Sequence, residues 1–387
     1  MASQRSSFVA FQQSSPSTPS WSADAALREL LLPETEAGCP AAPSLPCFRV
    51  LPLTELRPGS PRLLQGLGTN SLPRFLRRAT SVALEIGGAA VADRLLPPRP
   101  APMEVEEGRA RPGGGSFALY LHWSPDGRIS ELVRRQVLLW RAQGFAVVFI
   151  SNAAPPAPDW DAIADHAVLR VRRGNAGRDF GAWRDGLRLV EARFGRPAEL
   201  LLANDSVLGP FAPLDPLVAA WRASGEGLFG MTESLAGGPH LQSYALLARG
   251  AGPIASLADH LAKLPDSASK WRLVQRGEIG LSHRMLKDRQ FCGALFDYPS
   301  LCGMVDRAER RALGPRFARA DALWRFPLNP THHLWRPLVT RMGFPYLKRE
   351  LIRRMPDPLS PRAAWREVVP APWARLIEDH MRLMQGG

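Results

Sequence analysis

The stretch from Arg173 to Pro210 gathers three residue types that can do chemistry: glycines in a tight turn, an acid closing an apolar run, and polar neighbours with oxygens to offer. In the turn GNAGRDFGAW (174–183) the backbone N–H groups of Gly174, Ala176 and Gly177 are placed to approach phosphate oxygens, because glycine lacks the Cβ that would block them. Asp205 stands at the end of the run ELLLAND (199–205), where its carboxylate would meet a metal ion or a sugar hydroxyl. Asn204 and Ser206 would orient a ribose or complete a metal shell. The chemistry indicated is the gripping of a phosphorylated ligand, with Asp205 as the metal-binding acid if a divalent cation, magnesium or manganese, takes part.

Further along, Glu278 is the acid best suited to act as a base, with Asp205 and Asp179 as rivals. Inverting sugar transfer removes a proton from the acceptor hydroxyl as it attacks, and one carboxylate suffices. Glu278 precedes the apolar positions Ile279, Leu281 and Met285, at what reads as the start of a helix. Charge complementarity with that helix, worth a few tenths to about 1 kcal/mol, would also explain it. Gln242 would contact sugar hydroxyls or simply bond along a strand edge. Lys348 and Arg349 would neutralise a leaving diphosphate. The adjacent His332 and His333 point in different directions and make a poor metal clamp.

These residues need elements to hold them. FALYLHW (117–123), FAVVFIS (145–151), HAVLRVR (166–172) and ELLLANDSV (199–207) read as strands, with GLFGMT (227–232) and SYALLA (243–248) after them. Between the first two, Ile129, Leu132, Val133, Val137, Leu138 and Trp140 keep helical spacing, and Gly144 stops that helix. Trp183, Leu187, Val190 and Phe194 stripe a second helix over 181–194, and a third covers 255–264. Continuous apolar strands alternating with helices predict a mostly parallel sheet flanked by helices on both faces. In such sheets ligands bind at the carboxyl ends of the strands. The order also matches the skeleton of a GT-A-like nucleotide-sugar-binding domain.

Composition narrows the class. The chain has 387 residues and a net charge of +13, carried almost wholly by arginine. That balance suits an anionic partner. No basic block is interleaved with aromatics, so nucleic acid is not expected as a partner. Cys39, Cys47, Cys292 and Cys302 are too scattered for a disulfide framework, which predicts free thiols in a reducing cytoplasm. No apolar run is long enough to span a membrane, and the N-terminus lacks a signal pattern. Residues 1–114, rich in Ser, Pro and Gly, predict a partly disordered leader. It carries two short helices, 25–32 and 80–96, the second flanked by arginines and suited to peripheral contact with the inner face of a membrane or to packing on the main domain. The main domain is expected at 115–355 and a helical extension at 356–387.

In several ordered blocks the chain resembles the rhamnan synthesis protein F family of bacterial polysaccharide-forming glycosyltransferases. They are GNAGRDFGAWRDGL (174–187), ELLLANDSVLGPF (199–211), GMTES (230–234), HLQSYALLA (240–248), GEIGLS (277–282), and NPTHHLW with PYLKRELIRR (329–335, 345–354). The resemblance implies a nucleotide-sugar donor, with rhamnose as the sugar, and a polysaccharide or lipid-linked glycan acceptor. It further implies that Asn175, Gly177, Arg178 and Asp179 lie at the donor site, where Asp179 binds the nucleotide or caps the following helix. By the same resemblance His332 faces the diphosphate or the acceptor. The NDS block (204–206) carries one acid where many GT-A enzymes have an Asp-x-Asp pair, which leaves metal dependence open.

Overall fold

Alternation along each strand decides which face its side chains cover. In the computed structural model, which describes residues 48–55, 80, 83–85, 87–91, 101–267, 269–354 and 364–385, the first long strand shows this directly. Phe117, Leu119 and Leu121 pack into one apolar cluster, while Ala118 and Tyr120 pack into another on the opposite face. Burial on both faces is why the strand sequences are continuously apolar.

The strands in chain order are β1 Leu51–Pro52, β2 Met103–Glu107, β3 Ser116–His122, β4 Ala146–Ser151, β5 Leu169–Arg173, β6 Glu199–Asn204, β7 Val207–Leu208, β8 Gly227–Ser234, β9 His240–Leu241, β10 Ala245–Arg249, β11 Cys292–Phe296 and β12 Leu347–Lys348. The large sheet runs β1-β11-β8-β10-β6-β3-β4-β5-β2, with β9 beside β8, and β12 pairs separately with β7. β5, β4, β3 and β6 are parallel neighbours, and β8 pairs parallel with β11. β10 runs antiparallel between β6 and β8, so those six strands share one direction and the sheet is mostly parallel.

Helices cover both faces. Glu131–Ala142, with Leu132, Val133, Val137 and Trp140, lies on the Tyr120 side. Ser130 caps it by accepting the N–H of Val133. Arg178–Phe194 and Ala251–Lys263 lie on the Leu119 side. The predicted α/β layering and all six predicted strands are present.

Two expectations change. Met103–Glu107 was expected in the leader, yet it pairs along its whole length with β5. Glu106 bridges Arg170 at 2.8 Å and Arg172 at 3.0 Å, so cross-strand charges hold an edge strand that few apolar side chains support. β1 likewise joins the sheet beside β11, so the boundary at 114 cuts through the folded domain. At the other end, helix Ala371–Leu383 is no separate extension. Its Trp373, Ile377 and Met381 are buried in the core cluster of the Tyr120 face. The described residues among 80–91 are helical, with Leu84 and Val91 exposed and Glu85 accepting from Ser269 Oγ at 2.7 Å. The predicted helix at 25–32, Cys39 and Cys47 lie outside the described residues. Cys292 and Cys302 are free thiols whose burial pushes each up to about 12.

Candidate functional site

Because β3, β4, β5 and β6 are parallel, their carboxyl ends open on one edge of the sheet. The residues just beyond them are Trp123, Asn152, Gly174–Gly177 and Asp205. β10 runs the other way, so its amino end brings Gln242, Ser243 and Tyr244 to the same edge.

The glycine turn meets the strand end. Asn204 Nδ2 donates to Asp179 Oδ2 at 2.9 Å, so Asp179 binds the end of β6. Asn152 holds the turn from below, donating to Asn175 Oδ1 at 3.0 Å. Arg173, its side chain fully buried, donates to Asn152 Oδ1 at 3.1 Å and to Ala176 O at 2.8 Å, and pairs with Asp185 at 3.0 Å. Gly177 adopts φ +67°, and a Cβ there would lie 2.4 Å from Asp266 Oδ1. The left-handed backbone, with Gly181 Cα only 3.0 Å from that Cβ, therefore favours glycine for reasons inside the protein.

Gly174 is not the phosphate donor expected from the sequence, because its N–H already donates to Pro102 O at 3.2 Å. Asn175 and Arg178 are exposed at the rim, Arg178 with φ +49°.

Lys348 comes from β12. Its Nζ donates to Ser206 Oγ at 2.9 Å and lies 4.4 Å from the centroid of the Tyr244 ring. Burial lowers it to about 8, against the attraction of Glu278 and Asp179 and with repulsion from Lys270 and Arg349. Burial raises the Asp179 carboxyl, with help from Asp205 and against Lys348 and Arg349. Glu278 sits in a π-helical turn, Val274–Ile279, and its Oε1 accepts the N–H of Ser243 at 2.5 Å. Gln242 accepts from Thr232 Oγ1 at 2.8 Å and lies 3.4 Å from Thr331 Oγ1. His332 follows Asn329, which caps its short helix. Burial and the cations Lys348 and Lys270, with His333 adding to them, push His332 down to about 3, so it is neutral near pH 7.

Asp205 sits differently from an open ligand. It is 5% exposed. Its Oδ2 accepts the N–H of Trp123 at 2.9 Å, and its Oδ1 pairs with Arg349 Nη1 at 3.3 Å. Asn204 Oδ1 accepts both the N–H and the hydroxyl of Ser206, at 3.1 and 2.5 Å. The oxygens of the NDS block are thus directed to protein donors, two of them cations. Among the described residues no group of three or more His, Cys, Asp and Glu could hold a metal ion. A divalent cation would have to displace these protein donors from the block's oxygens, so the donor set does not fit one.

The site collects residues from five separated segments: 175–179, 204–206, 242–244, 278 and 332–349. Sequence reading missed its supports, Asn152, Arg173 and Asp266. The signal was the run LRVRR at 169–173, since arginines in a buried strand must have partners. Two cavities lie elsewhere. One, of about 780 Å³, is beside Thr54, His283 and Phe291. The other, of about 430 Å³, is beside Arg184, Asp185 and Asp266. Neither is lined by Asp179, Asp205, Glu278 or Lys348, so converging polar groups rather than a cavity mark the site.

No family model matches the chain. The chain is similar to uncharacterized protein y4gN of Sinorhizobium fredii (strain NBRC 101917 / NGR234), with 30% identity over 145 residues. That match spans 36% of this chain and 37% of the relative's length.

Proposed function

We propose that this chain is a glycosyltransferase of GT-A-like fold that moves a sugar from a nucleotide-diphosphate donor to a growing cell-surface polysaccharide or lipid-linked glycan. The observation that carries the reading is the convergence of Asp179, Asn204, Ser206, Glu278 and Lys348 at the carboxyl edge of a mostly parallel sheet. Acids beside a half-buried ammonium suit a reaction that both removes a proton and releases an anion. Rhamnose as the sugar rests on the blocks shared with rhamnan synthesis protein F.

In this reading the acceptor oxygen attacks the anomeric carbon while the bond from that carbon to the diphosphate oxygen breaks. The acceptor proton passes to Glu278, one of whose oxygens is already held by Ser243 N–H. The electron pair leaves with the diphosphate, which Lys348 neutralises. Asp179 and Asn175 face the donor from the turn, and Gln242 and neutral His332 face it from the opposite side. The protein would work at the cytoplasmic side of a membrane. Among the described residues no helix is long and apolar enough to cross one.

Purified protein given a panel of nucleotide sugars and several acceptors should release nucleoside diphosphate, and Glu278→Gln should lower that release by about a hundredfold or more. The engagement of both Asp205 oxygens favours a second reading, a non-catalytic nucleotide-sugar-binding component of a polysaccharide assembly complex. Tight donor binding with no release from any donor would select it.

A further inference from the structure

We infer that this sheet edge binds diphosphate through Lys348, with Arg349 neutralising Asp205 beside it, and without a divalent metal; this rests on the donor reading above. Three observations lead here. First, every side-chain oxygen of Asn204, Asp205 and Ser206 has a protein partner, within the block, from the Trp123 N–H past β3, or from β12 and the helix after it. A metal ion inserted among them would have to displace the Lys348 ammonium from Ser206 and the Arg349 guanidinium from Asp205. Second, the two cations are adjacent in sequence, and the backbone fixes them there. β12 pairs Lys348 with Val207, and Arg349 N–H donates to Ser206 O at 2.9 Å. They flank the Asp205–Ser206 turn, each bonded to one of its two side chains.

Third, the Lys348 ammonium is placed to meet an anion. Lys348 faces Glu278 and Asp179, with Lys270 and Arg349 as further cations in range. Its ammonium uses one donor on Ser206 and lies against the Tyr244 ring. An ammonium is a compact point charge with three donors, suited to oxygens on two adjacent phosphates. Arg349 already serves Asp205, so its share is to keep that acid from repelling the incoming anion. Lys348 makes the direct contact.

The test uses the full chain and inorganic pyrophosphate as the probe, with uridine, thymidine and guanosine diphosphates beside it. Binding is measured by calorimetry in excess chelator and again with magnesium or manganese. Affinity for at least pyrophosphate should agree within about twofold between the conditions. Lys348→Met should weaken it about tenfold or more, and Lys348→Arg should recover most of the loss. Circular dichroism melts separate lost binding from lost folding, and the chelator comparison on the wild-type chain needs no variant. Binding that vanishes in chelator and returns with manganese overturns the inference, as does no binding in either condition. Turnover that requires manganese leaves the transferase reading standing and removes this one. Chelator-proof pyrophosphate binding with no sugar transfer does the reverse.

Discussion

Asn204 and Asp179 are joined by a 2.9 Å hydrogen bond from the end of β6 to the first turn of helix Arg178–Phe194. That bond ties together the glycine turn and the NDS block, the two motifs from which the sequence reading started. It also satisfies a carboxylate whose pKa burial has raised, since a buried acid without a donor costs far more than one with it.

The tie separates positioning from chemistry. Asp179→Asn can still accept from Asn204, so stability should change by less than about 1 kcal/mol in urea unfolding. Asn204→Ala removes the donor and should cost about 1–3 kcal/mol. If Glu278 is the base, Asp179→Asn should keep measurable release of nucleoside diphosphate. A loss as deep as that of Glu278→Gln would move the base to Asp179.

Lys348 would give the proposed diphosphate site a pH limit. Its ammonium is held down to about 8 by burial. Protonated lysine predominates below that value, and attraction for diphosphate fades as pH rises through it. Affinity for a nucleoside diphosphate should therefore decline above about pH 8 in calorimetry. Lys348→Arg keeps its charge at any accessible pH, so its profile should stay flat. A wild-type profile that is flat to pH 9.5 would rule Lys348 out as the contact.

The sheet was legible because its strands are long, apolar and separated by turn residues, as in FALYLHW and FAVVFIS. β2 was not, because MEVEE gains its place from Arg170 and Arg172 across the ladder and carries little hydrophobic signal. The C-terminal helix read as an appendage because its length and amphipathic pattern do not reveal which surface it covers. In the fold it supplies Trp373 to the core and His380 to Ser130, within electrostatic reach of Asp205. The site residues were legible as polar interruptions of apolar blocks. Their partners were not, since the Arg349–Asp205 pair spans 144 positions, and no local pattern encodes so distant a contact.

Two glycines test packing near the site. A Cβ on Gly277, just before Glu278, would lie 2.5 Å from Phe180 Cε2, in a ring packed edge-on against Trp183. Gly277→Ala should cost about 1–3 kcal/mol, because a buried aromatic ring has little room to move. A Cβ on Gly186 meets the tip of Ile150 at 2.6 Å and Leu119 at 3.2 Å. Those methyl ends can rotate away, and alanine gains about 1 kcal/mol over glycine inside a helix. Gly186→Ala should thus be near neutral in urea unfolding, and an equal loss in the two variants would contradict this account of the Phe180 contact.

Acid should unfold the chain through histidines that are buried neutral. His380 is 2% exposed and its Nδ1 lies 2.7 Å from Ser130 Oγ. Burial pushes it down to about 4, with Asp205 pulling it up and Arg349 and His122 pushing it further down. His122 is lowered by burial as well, and His332 reaches about 3. In the unfolded chain each would titrate near 6.5. Their folded pKa values lie below that, so the unfolded state binds more protons as pH falls. Stability is therefore complete above about pH 6.5 and falls on the acid side, by up to about 1.4 kcal/mol per pH unit for each histidine. Thermal midpoints should drop steeply from pH 6.5 to pH 4.5. His380→Gln keeps a polar partner for Ser130 and removes one titrating group, so its midpoint should start lower at pH 7 but fall less over that range. A slope as steep as the wild type's would show that His380 takes no part in the acid response.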